Sequence, residues 1–281
     1  MTAPSDGRPA AAPAAGAVAW RAIAKHCKNH PNTVRAASLV VFFTVWEFWA
    51  KDADPLFIVT PSEIYQAAVW MIEDGTFLLL FSQSMEHFVI GTVLSIVVGT
   101  ALGVVLALWW QAEYVLDPFI NGFYAIPKPA LVPLFILWFG LETTSKVMLI
   151  MSVAIFPMIV NTYVGIKDTR GSMLDIGRAF GASERQIFFK IILPGSVPYI
   201  MSGARLAVGL GIIGMIIAEF FTAMVGFGGW IRETSDQFET AQMYFLIIVV
   251  GAFGIVLTEL VMALERRISR WRILEKERVQ G

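Results

Sequence analysis

The sequence has few of the side chains that carry out chemistry. Its 281 residues include one cysteine, Cys27, and three histidines whose spacing does not suit a metal site. A single cysteine excludes an intramolecular disulfide. The motifs HExxH, GxSxG and GxxxxGK[ST] are all missing. We therefore expect no catalytic site, no metal site and no ATP-hydrolysing loop of that type.

Charged residues are also scarce. They make up 15% of the chain, hydrophobic residues make up 57%, and the mean hydropathy is +0.67. This composition is typical of integral membrane proteins. The net charge of −1 gives no sign of a nucleic-acid partner. The expected surroundings are a lipid bilayer.

Long apolar stretches predict the architecture. A helix needs about 20 apolar residues to cross the hydrocarbon core. Gly99 and Gly103 form a GxxxG pair, which predicts close helix packing. Residues 63–72 predict a helix on the outer face, and residues 226–229 (GFGG) predict a turn-rich outer loop. The sequence therefore predicts an all-α polytopic membrane protein with six transmembrane helices, at about 36–50, 88–110, 117–140, 147–166, 196–219 and 242–264.

Lysine and arginine are distributed unevenly among the connections. We divide the chain into an N-terminal tail (1–35) with a disordered start, a transmembrane domain (36–266) and a basic C-terminal tail (267–281). Sixteen Lys and Arg lie in the tails, in the residues bordering them and in the connecting segment (residues 167–194), against three in the opposite connections. Because positive charge marks the inner side, both termini and the connecting segment are predicted to be cytoplasmic.

The third span is rich in proline. Each proline removes a backbone donor, and lipid does not tolerate the carbonyls this frees, so the span should face protein or a water-filled path. Polar groups inside other spans suit either a path or local packing, and the glutamate near the outer end of the fifth span suits a gate or a local hydrogen-bond anchor. The candidate residues of the path or gate are Pro127, Pro129, Pro133, Trp138, Asn161 and Glu219.

The connecting segment contains two signals for helix starts. Ser172 with Asp175, and Ser183 with Gln186, have the spacing of capping boxes. Gly181 lies between them and suits the positive φ of a helix end. Two short amphipathic helices are predicted, at roughly 172–180 and 183–192. Such a segment either docks on a partner protein or rests on the membrane surface.

The same segment resembles a family signature. In the membrane subunits of ATP-binding-cassette (ABC) importers, the EAA signature is Glu-Ala-Ala, three residues, Gly, nine residues, Ile, one residue, Leu-Pro. Here Gly181, Ile191 and Leu193-Pro194 match, whereas the opening triplet is Asp175-Ile176-Gly177. The stretches 126–140, 203–207 and 219–229 resemble the nitrate/sulfonate/taurine branch.

The resemblance implies a type I ABC importer permease fold with cytoplasmic coupling helices. It implies a pair of permease chains in the bacterial inner membrane, a homodimer or a dimer with a close paralogue, together with two copies of a separate ATPase subunit and a periplasmic substrate-binding protein. ATP and Mg²⁺ would bind the ATPase, with no cofactor on this chain. The cargo would be a small solute such as nitrate, an alkanesulfonate or taurine. The residues expected to couple to the ATPase are Asp175, Gly177, Arg178, Phe180, Gly181, Ala182, Ile187, Ile191, Leu193 and Pro194.

Two other classes of function stay open on the residues alone. An integral membrane enzyme should show clustered acids, histidines or a metal motif at one interface, and the sequence shows none. A non-transporting scaffold would not need a proline-interrupted span beside an amphipathic cytoplasmic segment.

The charge distribution makes a prediction about orientation. A reporter that is active only in the cytoplasm should be active when fused after Gly281 and silent when fused near Gln66. Reporter activity in whole cells, normalised to the amount of fusion protein, measures this. The reverse pattern would contradict the predicted orientation.

Overall fold

The computed structural model describes residues 31–169, 171–222 and 225–268. Predictions for most of the two tails lie outside these residues. Every regular element in the described part of the chain is helical. The helices are α1 (Pro31–Lys51), α2 (Pro61–Glu73), α3 (Thr76–Leu108), α4 (Trp110–Ala125), a 3₁₀ turn (Lys128–Leu131), α5 (Val132–Phe139), α6 (Thr143–Lys167), α7 (Gly171–Ala179), α8 (Glu184–Ile187), a π turn (Phe188–Ile192), α9 (Leu193–Thr222), α10 (Gly226–Asp236) and α11 (Thr240–Ile268).

The chain forms two compact units that divide between Ser62 and Glu63. In the first unit, the turn after α1 folds back on the end of that helix. The indole N–H of Trp46 donates to the carbonyl of Val59 (3.1 Å), and the carboxylate of Glu47 accepts from the hydroxyl and the backbone N–H of Ser62 (2.8 and 3.1 Å). Side-chain acceptors and donors therefore hold this turn in place.

The core of the second unit is α6 packed along both α3 and α9. A Cβ atom added at Gly99 would lie 2.5 Å from Cβ of Met158, and one added at Gly103 would lie 2.6 Å from Cβ of Thr162. Such distances leave no room for a side chain, so the glycines set how closely α3 approaches α6. The close packing predicted from the GxxxG pair is confirmed.

Five helices in the described part of the chain are long and apolar enough to span a membrane. A sixth span results if α4 and the helical stretch Lys128–Phe139, which bend by 96° at a short break, count as one. The all-α prediction is confirmed, and the proline-rich third span is this broken pair. The helix predicted at 63–72 is also present, as α2.

Two predicted span boundaries are wrong. Helix α3 begins at Thr76, whereas the second span was predicted to begin near residue 88. Polar residues inside the first half of the helix interrupt the apolar run on which that prediction depended. The fifth span has no break after the connecting segment, since the candidate span runs continuously over Glu184–Thr222.

The outer loop predicted at 226–229 is a helix instead. Helix α10 begins at Gly226 and is buried over its first four residues. Glycine has low intrinsic helix propensity, which tertiary contacts override. Here the contacts are with Glu219, whose carboxylate would lie 2.5 Å from a Cβ atom at Gly226.

The α3–α6 contact predicts the effect of added volume. Gly99→Leu should lower the free energy of unfolding by about 1–3 kcal/mol, the range for overpacking a close contact. Thermal unfolding of the purified protein in detergent measures this. Gly251→Leu on α11 is the matched control, because no atom lies within 4 Å of a Cβ added there. Equal stability of the two variants would contradict a close α3–α6 contact.

Candidate coupling site and transport path

The connecting segment folds as two short helices joined at a sharp bend. Gly181 has φ of 75°, as predicted. The hydroxyl of Ser183 accepts from N–H of Gln186 (3.3 Å), and the Gln186 side chain accepts from N–H of Ser183 (2.9 Å). This capping box is confirmed. The one predicted at Ser172 is not present, because α7 already begins at Gly171 and Ser172 lies within its first turn.

The inner side of the bend is tightly packed. Gly177 is buried, and Ile187 is 1% exposed. A Cβ atom at Gly177 would lie 2.8 Å from Cδ1 of Ile191 and 3.4 Å from Cγ1 of Ile187. Three of the predicted coupling residues therefore hold the two helices together.

The outer side of the bend exposes large apolar side chains. Phe180 is 88% exposed, and Asp175 and Arg178 beside it are also exposed. Nε of Arg178 lies 3.3 Å from the carboxylate of Glu184. We define the exposed apolar face as Met173, Ile176, Phe180 and Phe189.

The segment continues into α9 through the π turn. N–H of Leu193 donates to the carbonyl of Phe188, five residues back, and Pro194 has no N–H to donate. Ala182, Leu193 and Pro194 are half-buried. The helix therefore changes its hydrogen-bond pattern here without ending.

Polar contacts join the ends of three spans near this segment. The carboxylate of Glu113, in the first turn of α4, accepts from the hydroxyl of Tyr163 (2.5 Å) and from Nζ of Lys167 (2.8 Å). The hydroxyl of Tyr199 on α9 donates to the carboxylate of Asp168. These contacts could not be predicted from the sequence, because each residue alone resembles an ordinary charged or aromatic residue at the end of a helix.

The broken span carries four of the six predicted path residues. Pro127, Pro129 and Pro133 are exposed, and Trp138 is 62% exposed. Trp138 also lines a cavity of about 260 Å³ between α4–α5 and α6. The other walls include Phe123, Phe156 and one charged residue, Lys128.

Lys128 donates hydrogen bonds to backbone carbonyls at the break in this span. Its Nζ donates to the carbonyls of Phe123 (2.5 Å), Ile126 (2.9 Å) and Tyr124 (3.3 Å). The ammonium also lies 4.8 Å from the ring centre of Phe156. In the sequence, the position of Lys128 between two prolines indicates this role.

The other two predicted path residues, Asn161 and Glu219, lie outside the broken span. Nδ2 of Asn161 donates to the carbonyl of Pro157 (2.8 Å), and a Cβ atom at Gly203 would lie 3.0 Å from Cβ of Asn161. Asn161 is therefore at the contact between α6 and α9. It is not among the residues that line the cavity.

Glu219 is fully buried at the centre of a polar cluster. Its carboxylate accepts from the hydroxyl of Ser84 (2.9 Å) and from N–H of Gly228 (3.0 Å), and Nδ1 of His87 lies 3.2 Å from it. N–H of Phe227 donates to Ser84 (2.8 Å). The cluster ties α3 and α9 to the start of α10. The available signal was the spacing of Ser84 and His87, which places both on one helix face.

Comparisons with known proteins agree with this architecture. The family model described as binding-protein-dependent transport system inner membrane component matches residues 91–272. The formylaminopyrimidine transport permease protein ThiX of Halalkalibacterium halodurans is 30% identical over 236 residues, which are 83% of this chain and 93% of that protein. The putative aliphatic sulfonates transport permease protein SsuC of Bacillus subtilis is 31% identical over 189 residues, 67% of this chain and 68% of that protein.

A solved structure supports the fold. A chain of the MetNI methionine ABC transporter, in an inward-facing conformation, aligns with a TM-score of 0.59 at 16% identity. The alignment covers 70% of this chain and 97% of that chain.

The chain belongs to the family of binding-protein-dependent transport system inner membrane components. It is the membrane-spanning permease subunit of an ABC importer and not an enzyme, and its partners are an ATPase subunit and a substrate-binding protein. It is a multi-pass protein of the inner membrane. The enzyme and scaffold alternatives are not favoured.

Replacement of Glu219 distinguishes its two candidate roles, a gate and a local hydrogen-bond anchor. Glu219→Ala should destabilise the protein by several kcal/mol, since each buried donor left without its acceptor costs about 1–3 kcal/mol. Thermal unfolding of the purified permease measures this, with Asp236→Ala as the control, because the Asp236 side chain at the end of α10 is 69% exposed. A variant of normal stability that has lost uptake would instead favour a gate.

Proposed function

We propose that two copies of this chain form the path of an importer for a small organic anion, and that the exposed apolar face docks on the ATPase. The main support for docking is that Phe180 and its apolar neighbours are exposed, although the inner side of the same bend is tightly packed. Contiguous exposed apolar surface is rare away from interfaces and membranes. The family's need for an ATPase partner supplies an occupant for it.

The geometry gives docking a mechanical consequence. The connecting segment runs into α9 without a break, so a displacement of the bend moves α9 as a rigid body. The contacts of Glu113 with Tyr163 and Lys167 pass part of this displacement to the start of the broken span. Closure of the ATPase on ATP and Mg²⁺ would drive the movement. One connecting segment in each chain suits a homodimer on a pair of ATPase subunits.

The cargo is proposed from the charge of the broken span. Among the residues that the structure describes, Lys128 is the only charged one that lines the cavity beside this span. A lone cation there favours an anion, and the relative SsuC is named for aliphatic sulfonates. The relative ThiX is named for formylaminopyrimidine. None of the described lining residues carries a negative charge that would favour a basic ring.

Docking predicts the effect of a charge on the exposed apolar face. Phe180→Asp should abolish co-purification of the ATPase and ATP-driven uptake of pentane-1-sulfonate in proteoliposomes that also contain the binding protein. The fold should be unaffected, because the Phe180 side chain is 88% exposed. Gly181→Asp should act in the same direction, since a residue with a Cβ atom at positive φ costs about 1 kcal/mol.

Tyr65→Asp is the matched control. Tyr65 is an exposed aromatic residue on α2, outside the connecting segment, so its replacement should leave ATPase binding unchanged. Normal ATPase binding and uptake by Phe180→Asp would disprove docking and favour a helix resting on the membrane surface. Unmodified importer that binds ATPase but does not take up the sulfonate would disprove the cargo alone.

A further inference from the structure

Lys128 lies at mid-depth in the protein. Its ammonium is 4.8 Å from the ring of Phe156, which belongs to the membrane-spanning helix α6 (Thr143–Lys167). At 1.5 Å per residue, the ring is attached about 20 Å along the axis from Thr143 and about 16 Å from Lys167. The ammonium is therefore near the middle of a span and not at an interface.

The charge of Lys128 has no neutralising partner in the part of the chain that the structure describes. Its three donors bind the carbonyls of Phe123, Tyr124 and Ile126, and no carboxylate forms an ion pair with it. Pro127, four residues after Phe123, has no N–H to donate, but the carbonyl of Phe123 also accepts from N–H of Ile126 (3.3 Å). A glutamine or serine could supply a neutral donor. A full charge at this depth is expensive and marks functional sites in membrane proteins.

The cavity beside Lys128 is otherwise apolar. Aromatic rings of Phe123, Phe135, Trp138 and Phe156 contribute to its walls. The second polar side chain, Ser152, already donates to the carbonyl of Leu149 (2.7 Å). The volume of about 260 Å³ is just below that of pockets for drug-sized ligands, so it suits a smaller molecule. The described lining of the cavity thus offers one cation, and its other side chains are apolar apart from Ser152.

We propose that this cavity is a transit subsite for a small organic monoanion with an apolar body, such as a short alkanesulfonate, whose anionic group binds the ammonium of Lys128. The inference rests on the proposed function and locates it on this chain. An anion oxygen would replace the longest contact of the ammonium, the 3.3 Å bond to the carbonyl of Tyr124. The two shorter bonds would keep the ammonium in place. In secondary transporters, cargo binds at discontinuous spans near the midplane of the membrane.

Protection of a single cysteine tests the subsite. Ser152→Cys is placed in a Cys27→Ser background, and the assembled importer is treated in lipid nanodiscs with the uncharged reagent N-ethylmaleimide. Pentane-1-sulfonate should slow the modification of the cysteine, whereas pentan-1-ol at the same concentration should not. Adding Lys128→Met should weaken protection about tenfold, the loss expected for a hydrogen bond to a charged group. Lys128→Arg should retain it.

The controls separate binding from folding and from cargo. The rate of modification without ligand should be equal in the Lys128 variants, which shows that the cavity is intact. Equal protection by the alcohol, or unchanged protection in Lys128→Met, would overturn the proposal and leave Lys128 as a helix cap. Uptake of the sulfonate without any protection would overturn the subsite while the proposed function stands. Protection without uptake would support the subsite and count against the proposed cargo.

Discussion

Satisfaction of backbone hydrogen bonds inside the membrane is the constraint on which this structure depends. An unpaired N–H or C=O group costs several kcal/mol in hydrocarbon, so the spans are long helices. Within the described residues, the helices are interrupted at the break beside Lys128 and before α10, and side chains complete the backbone pairing at both places. Lys128 supplies donors to the carbonyls that end α4, and Glu219, Ser84 and Gln83 accept from the N–H groups that begin α10.

These two interruptions have different surroundings. Glu219 and its partners Ser84 and His87 are buried among α3, α9 and α10. The break at Lys128 borders a cavity and carries exposed prolines. The buried helices around Glu219 therefore form a fixed part of the molecule. The break at Lys128 has space beside it and can rearrange. The α9 helix joins the fixed part to the connecting segment without interruption, as rigid-body gating requires.

Features that depend on neighbouring residues could be predicted from the sequence, and features that depend on distant residues could not. Hydropathy located the spans, and local chemistry located the bend at Gly181 and the cap at Ser183, because each depends on a few neighbouring residues. The errors came from long-range contacts. Ser84 and His87 are polar, so they lie outside the predicted apolar span. Their polar groups contact Glu219, which is more than 130 residues later in the chain. The glycines at 226–229 resembled a turn, yet a side chain there would collide with the same carboxylate.

The departure from the family signature at Asp175-Ile176-Gly177 has a physical explanation in the bend. Where the signature has alanine, Gly177 leaves space that the terminal methyl of Ile191 fills; an alanine would displace it. Ile176, in the place of the other alanine, is 56% exposed beside Phe180. The substitutions therefore move apolar volume from between the two helices to the exposed apolar face. If that face meets an ATPase, the opposing groove needs room for a branched side chain at this position. A groove shaped for alanine would exclude it, so the triplet contributes to the choice of partner.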